Sequence, residues 1–512
     1  MELEFKKSCF DAYELGGELT LSQEETAENI VPDYCPDIAR IIETEGKVAI
    51  HSRELREGKA EVSGTVHVAV LYTPDGDGGI RVLEFAMPFG VETDARAMPD
   101  CGLLTAEANI ELLETRLLNP RKVFTHCRLS LHLTGYRRSS LCACSDVTAS
   151  PELCIEKQQE QQHAVVTTQI AEKDFTFSES MHLSPGKDGA AELLASRVCS
   201  AITETKIVGS KLIFKGAFTL SILYRSVGGK CCAYSGELPF SQIMEVEGAG
   251  EGAVAAVQLQ LTGSDLQIDG DDPEGRQLAV TFYLHATAIL REERDVMLLR
   301  DLYSTAYNLT YEALPLQFTA VSDTIVRRQT VRELLEIGVV ADSILSLCVT
   351  CGAVSVAREG KNVILRTGAT VRVLYLDEGG AALVAERCIE VSCQLELPES
   401  CHVTAGASCP EEPQGSIGER GIEVRFPIDF HIEATEKIKK ICISSAKLNT
   451  DAPKETAGAP SLVLRCLGKQ ETAWELAKQY NTTIPAILAA NELENCSDMI
   501  GDRLLLIPRK RA

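Results

Sequence analysis

The chain has 512 residues, 45% of them apolar, which suits about three to four domains with buried cores and excludes wholesale disorder. Lys and Arg number 50 against 74 Asp and Glu, a formal net charge of −24, so phosphate backbones and anionic lipid are repelled and make poor partners. The opening MELEFKKSCF is not a positive-then-apolar leader and no run of about 20 apolar residues follows, so a cytosolic chain without membrane insertion is expected, its 19 cysteines held as reduced thiols.

In chain order, the first patterned block is CPDIARIIETEGKVAI from Cys35, which reads as a short helical segment running into strands. Then comes SGTVHVAVLYTPDGDGG from Ser63, where Val66, Val68, Val70 and Tyr72 alternate with polar residues before a Gly-rich turn. That is the pattern of a hairpin strand with one buried face. The same signature returns in KGAFTLSILYRSVGGK from Lys215, with Phe218, Leu220, Ile222 and Tyr224, and in TGATVRVLYLDEGGA from Thr367, with Ala369, Val371, Val373 and Tyr375. Tyr72 to Tyr224 is 152 positions and Tyr224 to Tyr375 is 151. Two nearly equal steps mean one domain present three times, not a short-period solenoid.

Each copy closes on a further alternating strand: RLSLHLTGY, LAVTFYLHATAIL and IEVRFPIDFHIEA. The second copy opens, like the first, on a helix-like segment, GAAELLASRVCSAITETKIV, and the third is looser there. The expected fold is therefore mainly β: β-rich repeats, sandwich or barrel-like, over 1–148, 160–312 and 313–448. Polar stretches at 139–163 and 449–460 read as linkers.

Chemistry is sparse. His132, His285 and His431 recur in the closing strands, but without partners at catalytic or metal spacing they read as half-buried sheet residues. Cys348 and Cys351 form a lone C-x-x-C in an apolar stretch and read as small buried side chains. Asp75-Gly76-Asp77 and Asp269-Gly270-Asp271-Asp272 lack a calcium loop's closing glutamate and read as turns, and GAGEGAVAAV from Gly248 reads as a loop. No metal, no cofactor and no enzymatic activity are expected.

From Ser461 the pattern changes. SLVLRCL reads as a strand, and Thr472-Ala473-Trp474-Glu475 as a capping box opening a helix striped by Ala473, Leu476, Ala477 and Tyr480. A second helix starts at IPAILAAN, with Pro485 in its first turn, and RLLLIP is a closing strand. The order is β-α-α-β, and it holds Trp474, the chain's single tryptophan. This stretch, 461–510, resembles a LysM domain in Gly468, Thr472, Trp474, Tyr480-Asn481-Thr482-Thr483, Ala490-Asn491, Ile500-Gly501 and Leu506-Ile507-Pro508. The resemblance implies a shallow groove for N-acetylglucosamine polymers or another partner, with Glu471, Thr472, Ala473 and Trp474 on one side. Asn491, Glu492, Leu493, Met499 and Ile500 would form the other side. Glu471 and Ala473 depart from the family's acidic and leucine positions, which weakens the glycan reading. Trp474 has two open readings: module core, or contact with a partner.

Three copies of IVPDYCPDIARIIETEGKVAI-type units ending in a LysM-like module make the chain similar to the SipL family of clostridial spore-coat morphogenetic proteins. That resemblance implies a scaffold in the mother-cell cytosol at the forespore surface. It also implies docking, through the LysM domain, to a coat-basement ATPase of the SpoIVA type. The alternative implied by the module alone is a peptidoglycan-binding protein.

Overall fold

The computed structural model describes all residues except 1–2, 77–78, 249, 251, 455–459, 467–470, 497–503 and 510–512. The chain is mainly β, built as sandwiches, and no sheet among the described residues closes into a barrel. Repeat 1 comprises β1 (Glu4–Ile30), β2 (Ile38–Arg56), β3 (Lys59–Pro74), β4 (Arg81–Asp94), β5 (Leu103–Asn119) and β6 (Lys122–Thr148). Repeat 2 comprises β7 (Ile155–His182), β8 (Ala190–Val208), β9 (Lys211–Ser226), β10 (Cys231–Glu245), β11 (Val254–Ile268) and β12 (Gln277–Ser304). Repeat 3 runs from β13 (Tyr307–Glu336) through β14 (Ala341–Cys351), β15 (Ser355–Glu359), β16 (Asn362–Asp377), β17 (Ala382–Glu396), β18 (Cys401–Ser408) and β19 (Gln414–Gly418) to β20 (Gly421–Pro453).

In each repeat the first and last strands are long and pair antiparallel, and a meander packs across one half of that ribbon. Repeat 1 sets β2-β3-β4 over β5-β6-β1, and period-two alternation turns Val66, Val68, Val70 and Tyr72 inward against Leu129, Leu131 and Leu133. Gly64 and Gly216 open the alternating runs of repeats 1 and 2 because the two flanking strands of their own sheet crowd them, beside the register shifts at Ile50/Ser52 and Ile202/Glu204. A Cβ on Gly64 would lie 2.2 Å from the Ala49 carbonyl and against the Phe89 ring, and one on Gly216 would lie 2.0 Å from the Ala201 carbonyl and against Phe240. Repeat 2 fills the corresponding space with aromatic rings: Phe218 packs 4.4 Å from Phe240, 5.0 Å from Phe177 and 5.3 Å from Phe282.

The helical segments expected at the start of the copies are strands. In β2, register shifts between Ile38 and Arg40 and between Ile41 and Glu43 insert extra residues into the pairing with β3. The same two irregularities occur at Ala190/Glu192 and Leu193/Ala195 in β8, and at Ala341/Ser343 and Ile344/Ser346 in β14. Bulges stretch a period of two into spacings of three and four, which imitate a helix in sequence. The presumed linker at 139–163 is also largely strand: β6 runs to Thr148 and β7 begins at Ile155. At 449–460, strand β20 continues to Pro453.

Two cores join the repeats. The ends of the long ribbons, β1 with β6, β7 with β12 and β13 with β20, meet in a hub of Ala143, Cys144, Val166, Leu298, Leu302, Phe318 and Ile443. Beside the meanders, Leu71, Leu223 and Leu374, one from each repeat and at equivalent positions, converge with Leu194 and Leu345. Equivalent residues of the three repeats meet there, so the junction is pseudo-threefold in its composition. Cys9 and Cys142, directly opposed on β1 and β6, are joined as a disulfide with Cα atoms 4.1 Å apart, correcting the expectation of reduced thiols throughout. Cys348 and Cys351 are free and partly buried.

The C-terminal module consists of β21 (Leu462–Cys466), α1 (Ala473–Gln479), α2 (Ile484–Ala490) and β22 (Leu504–Pro508), with β21 and β22 antiparallel. Its order is the expected β-α-α-β. No helix among the described residues is long and apolar enough to cross a membrane.

Candidate docking site on the C-terminal module

α1 starts where the sequence pattern places it. The Thr472 side chain accepts from the Glu475 N–H, and Glu475 reaches back to accept from the Thr472 N–H at 2.9 Å, completing the capping box. Glu471 is ion-paired with Arg465 of β21. Thr483 caps α2 in the same way, accepting from the Ala486 N–H. Asn491 is a structural clip. Its amide donates to the Ile487 and Leu506 carbonyls, its oxygen accepts from the Leu506 N–H, and all three bonds are 2.7 Å long. Glu492 is exposed beside it, with a left-handed backbone at φ 54°, and Leu493 is half-buried on the module core. Met499 and Ile500 lie outside the described residues, as does Gly468 of the resemblance.

Ala473 is half-buried on the module core, and Trp474 sits on the side of α1 that faces repeat 2. Trp474 belongs to the module core with Leu476, Ala477, Ile487, Leu505 and Ile507, and Tyr303 at the end of β12 completes the cluster. The indole lies edge-on to the Tyr303 ring with centroids 5.0 Å apart, and only 8% of Trp474 is exposed. Its Nε1–H donates to Asp301 Oδ2 at 2.8 Å. Lys478, one turn further along α1, donates to both Asp301 oxygens at 2.7 Å and stands 5.3 Å over the Tyr311 ring of β13. The Tyr303 hydroxyl donates to the Thr482 carbonyl at 2.7 Å, and Lys454 donates to the Ser304 carbonyl and to Asn481 Oδ1. Burial alone would push the Asp301 carboxyl up. The hydrogen bonds from Lys478 and Trp474 overcome it and hold the group below its usual value.

Sequence reading misses Asp301, Tyr303 and Tyr311. They lie in RDLYSTAY and the residues just after it, about 170 positions before the module, next to a register shift between Leu299 and Asp301 that breaks the alternation and turns Asp301 toward α1. A charged residue in a run otherwise committed to the buried hub was the available signal.

The three strand histidines do not come together. His132 lies 3.1 Å from Thr20 Oγ1, His431 2.9 Å from Ser408 Oγ, and His285 2.6 Å from Asp174 and 2.7 Å from Arg53. The His285 group belongs to the junction between repeats 1 and 2, where Arg53 also pairs with Glu172 at 2.7 Å. Bonds from Glu172 and Asp174 raise the His285 pKa against the effect of burial. Asp272 accepts three backbone N–H bonds from Glu274, Arg276 and Gln277, so its cluster is turn chemistry, while Asp77 of the other cluster lies outside the described residues. Among the described residues no group of three or more His, Cys, Asp or Glu is placed to hold a metal ion.

A charged cluster lines the pseudo-threefold junction. Arg197 of repeat 2 pairs with Glu45 of repeat 1 and lies 3.4 Å from Ser346 of repeat 3. Arg372 of repeat 3 lies 3.4 Å from Glu43 of repeat 1 and 2.6 Å from Glu386. Burial, with the Glu45 charge beside it, pushes Glu43 up to about 7, against the pull of Arg372 and Arg197.

Residues 37–127 and 190–269 match the protein family described as SipL, SPOCS domain. These are the meander and following strand of repeat 1 and of repeat 2, with the first residues of β6, and the two meanders are among the portions that meet at the junction. Two of the three repeats thus carry the SipL, SPOCS domain, in line with the resemblance read from their sequences, and the match points to a sporulation-related protein. No curated protein matches the chain.

Proposed function

We propose that this chain is a non-enzymatic scaffold of spore-coat assembly, working in the mother-cell cytosol at the forespore surface. Its C-terminal LysM-like module docks a SpoIVA-like coat-basement ATPase. The observation that carries the reading is the SPOCS match on two successive repeats, in a body whose three sandwiches share one junction. The β-α-α-β order of residues 462–508 supports a recognition module at the end of that body. A glycan role is less well supported, because Asn491 spends its amide on the module's own backbone and Trp474 spends its indole N–H on Asp301.

The test is a pull-down from sporulating cells with the full chain and with a chain lacking residues 461–512, alongside sedimentation with insoluble peptidoglycan. Capture of the ATPase by the full chain alone is the expected result. Equal capture without the module sinks the docking role, and co-sedimentation with peptidoglycan in place of ATPase capture assigns the module to glycan.

A further inference from the structure

The side of α1 that carries Trp474 is already occupied by the chain's own body. Any external molecule that reads the Trp474 edge of the module competes with Asp301, Tyr303 and Tyr311. The contact is well matched. One carboxylate receives the indole N–H and two bonds from the lysine, a tyrosine ring closes against the indole, and a second tyrosine lies under the lysine. It is also small and polar at its centre, more like an exchangeable interface than a permanent core.

We infer that the module is held in a closed form by a latch, Trp474 and Lys478 of α1 on Asp301 of β12, which conceals the Trp474 edge from solvent-borne partners until it is released. The inference rests on the proposed docking role of the module and adds the regulation of that same face. A partner that binds only the open form sees an affinity reduced by the open fraction, so loosening the latch strengthens apparent binding without touching the partner's own contacts. The hydrogen bonds of Tyr303 to Thr482 and of Lys454 to Asn481 and Ser304 form a second point of attachment. They keep the module beside the ribbon end when the latch alone is opened.

Trp474 is the only tryptophan, so the intrinsic fluorescence of the full chain reports its environment directly. Asp301→Ala removes the acceptor and Tyr311→Ala removes the ring under Lys478, both from the body and not from the docking face, giving two independent openings should either variant fold poorly. The expected result for both is red-shifted emission and steeper acrylamide quenching than in the full-length wild type. An apparent affinity for the purified coat-basement ATPase higher by up to about tenfold should accompany the change. Unchanged emission and quenching in both folded variants overturn the latch, whatever the binding result. A changed emission with no gain in capture overturns the concealment. If neither wild type nor variants capture the ATPase or sediment with peptidoglycan while quenching still rises, the latch stands and the docking role falls.

Discussion

Arg197 reaches from repeat 2 to a carboxylate of repeat 1 and a hydroxyl of repeat 3, so its loss should loosen the pseudo-threefold junction as a whole. The side chains of Arg197 and Glu45 are 30% and 20% exposed, which places the pair between a surface and a buried ion pair. At an effective dielectric of about 20, charges about 4 Å apart attract by roughly 4 kcal/mol before desolvation is subtracted. Exposed pairs retain about 0.2–1 kcal/mol. A coupling energy of about 2 kcal/mol is therefore expected from a double-mutant cycle on Arg197→Met and Glu45→Gln. The assay is hydrogen exchange at the amides of Leu71, Leu223 and Leu374, because local opening free energies remain defined in a chain with several cores. Arg197→Met alone should accelerate exchange at all three positions, since it leaves Glu43 and Glu45 beside each other with one compensating charge fewer. A coupling below about 0.5 kcal/mol, or acceleration confined to Leu223, refutes the view that one arginine ties the three repeats together.

Glu43 titrates high because it is buried beside Glu45, so its proton stays bound in the folded chain up to about pH 7 but leaves the unfolded chain near 4.5. Its contribution to stability is fully present below pH 4.5 and is lost as pH rises through 7. Glu43→Gln should therefore stabilise the chain by about 1 kcal/mol or more at about pH 8.5 and by little at about pH 5, measured by urea unfolding at the two pH values. Phe218→Ala empties the aromatic core of repeat 2 and should cost about 3–5 kcal/mol, read as proteolysis confined first to residues of that repeat. Val66 and Ala369 occupy the equivalent positions in repeats 1 and 3, and Ala369 requires no repacking to be small.

The triplication was legible because period-two burial and the Tyr72, Tyr224 and Tyr375 spacing depend only on strand geometry and repeat length. The start of α1 was legible because a capping box is local, and the contacts of Thr472 and Glu475 follow from four adjacent residues. What sequence concealed was non-local. Paired bulges in β2, β8 and β14 moved apolar residues into helical spacing. The polar ribbon around Gln158–Gln162 pairs with β12 although its composition reads as a linker, since one strand face can be solvated while the backbone is fully bonded. Asp301 could not be assigned to Trp474 because the two are brought together by the ribbon ends meeting, not by any pattern within either segment.

The long ribbons have a mechanical consequence. β1, β6, β7, β12, β13 and β20 are 27 to 33 residues long, roughly 90–110 Å each, and every one has one end in a sandwich and the other in the hub. β6 alone contributes Leu131 to the sandwich of repeat 1 and Cys144 to the hub. A pull on one sandwich is therefore carried along the strand axis and meets rows of hydrogen bonds loaded in shear, where many must fail together. Beads joined by flexible linkers would instead give way singly, each at its own load. This chain is braced as a truss, its three ribbons tied together at one hub.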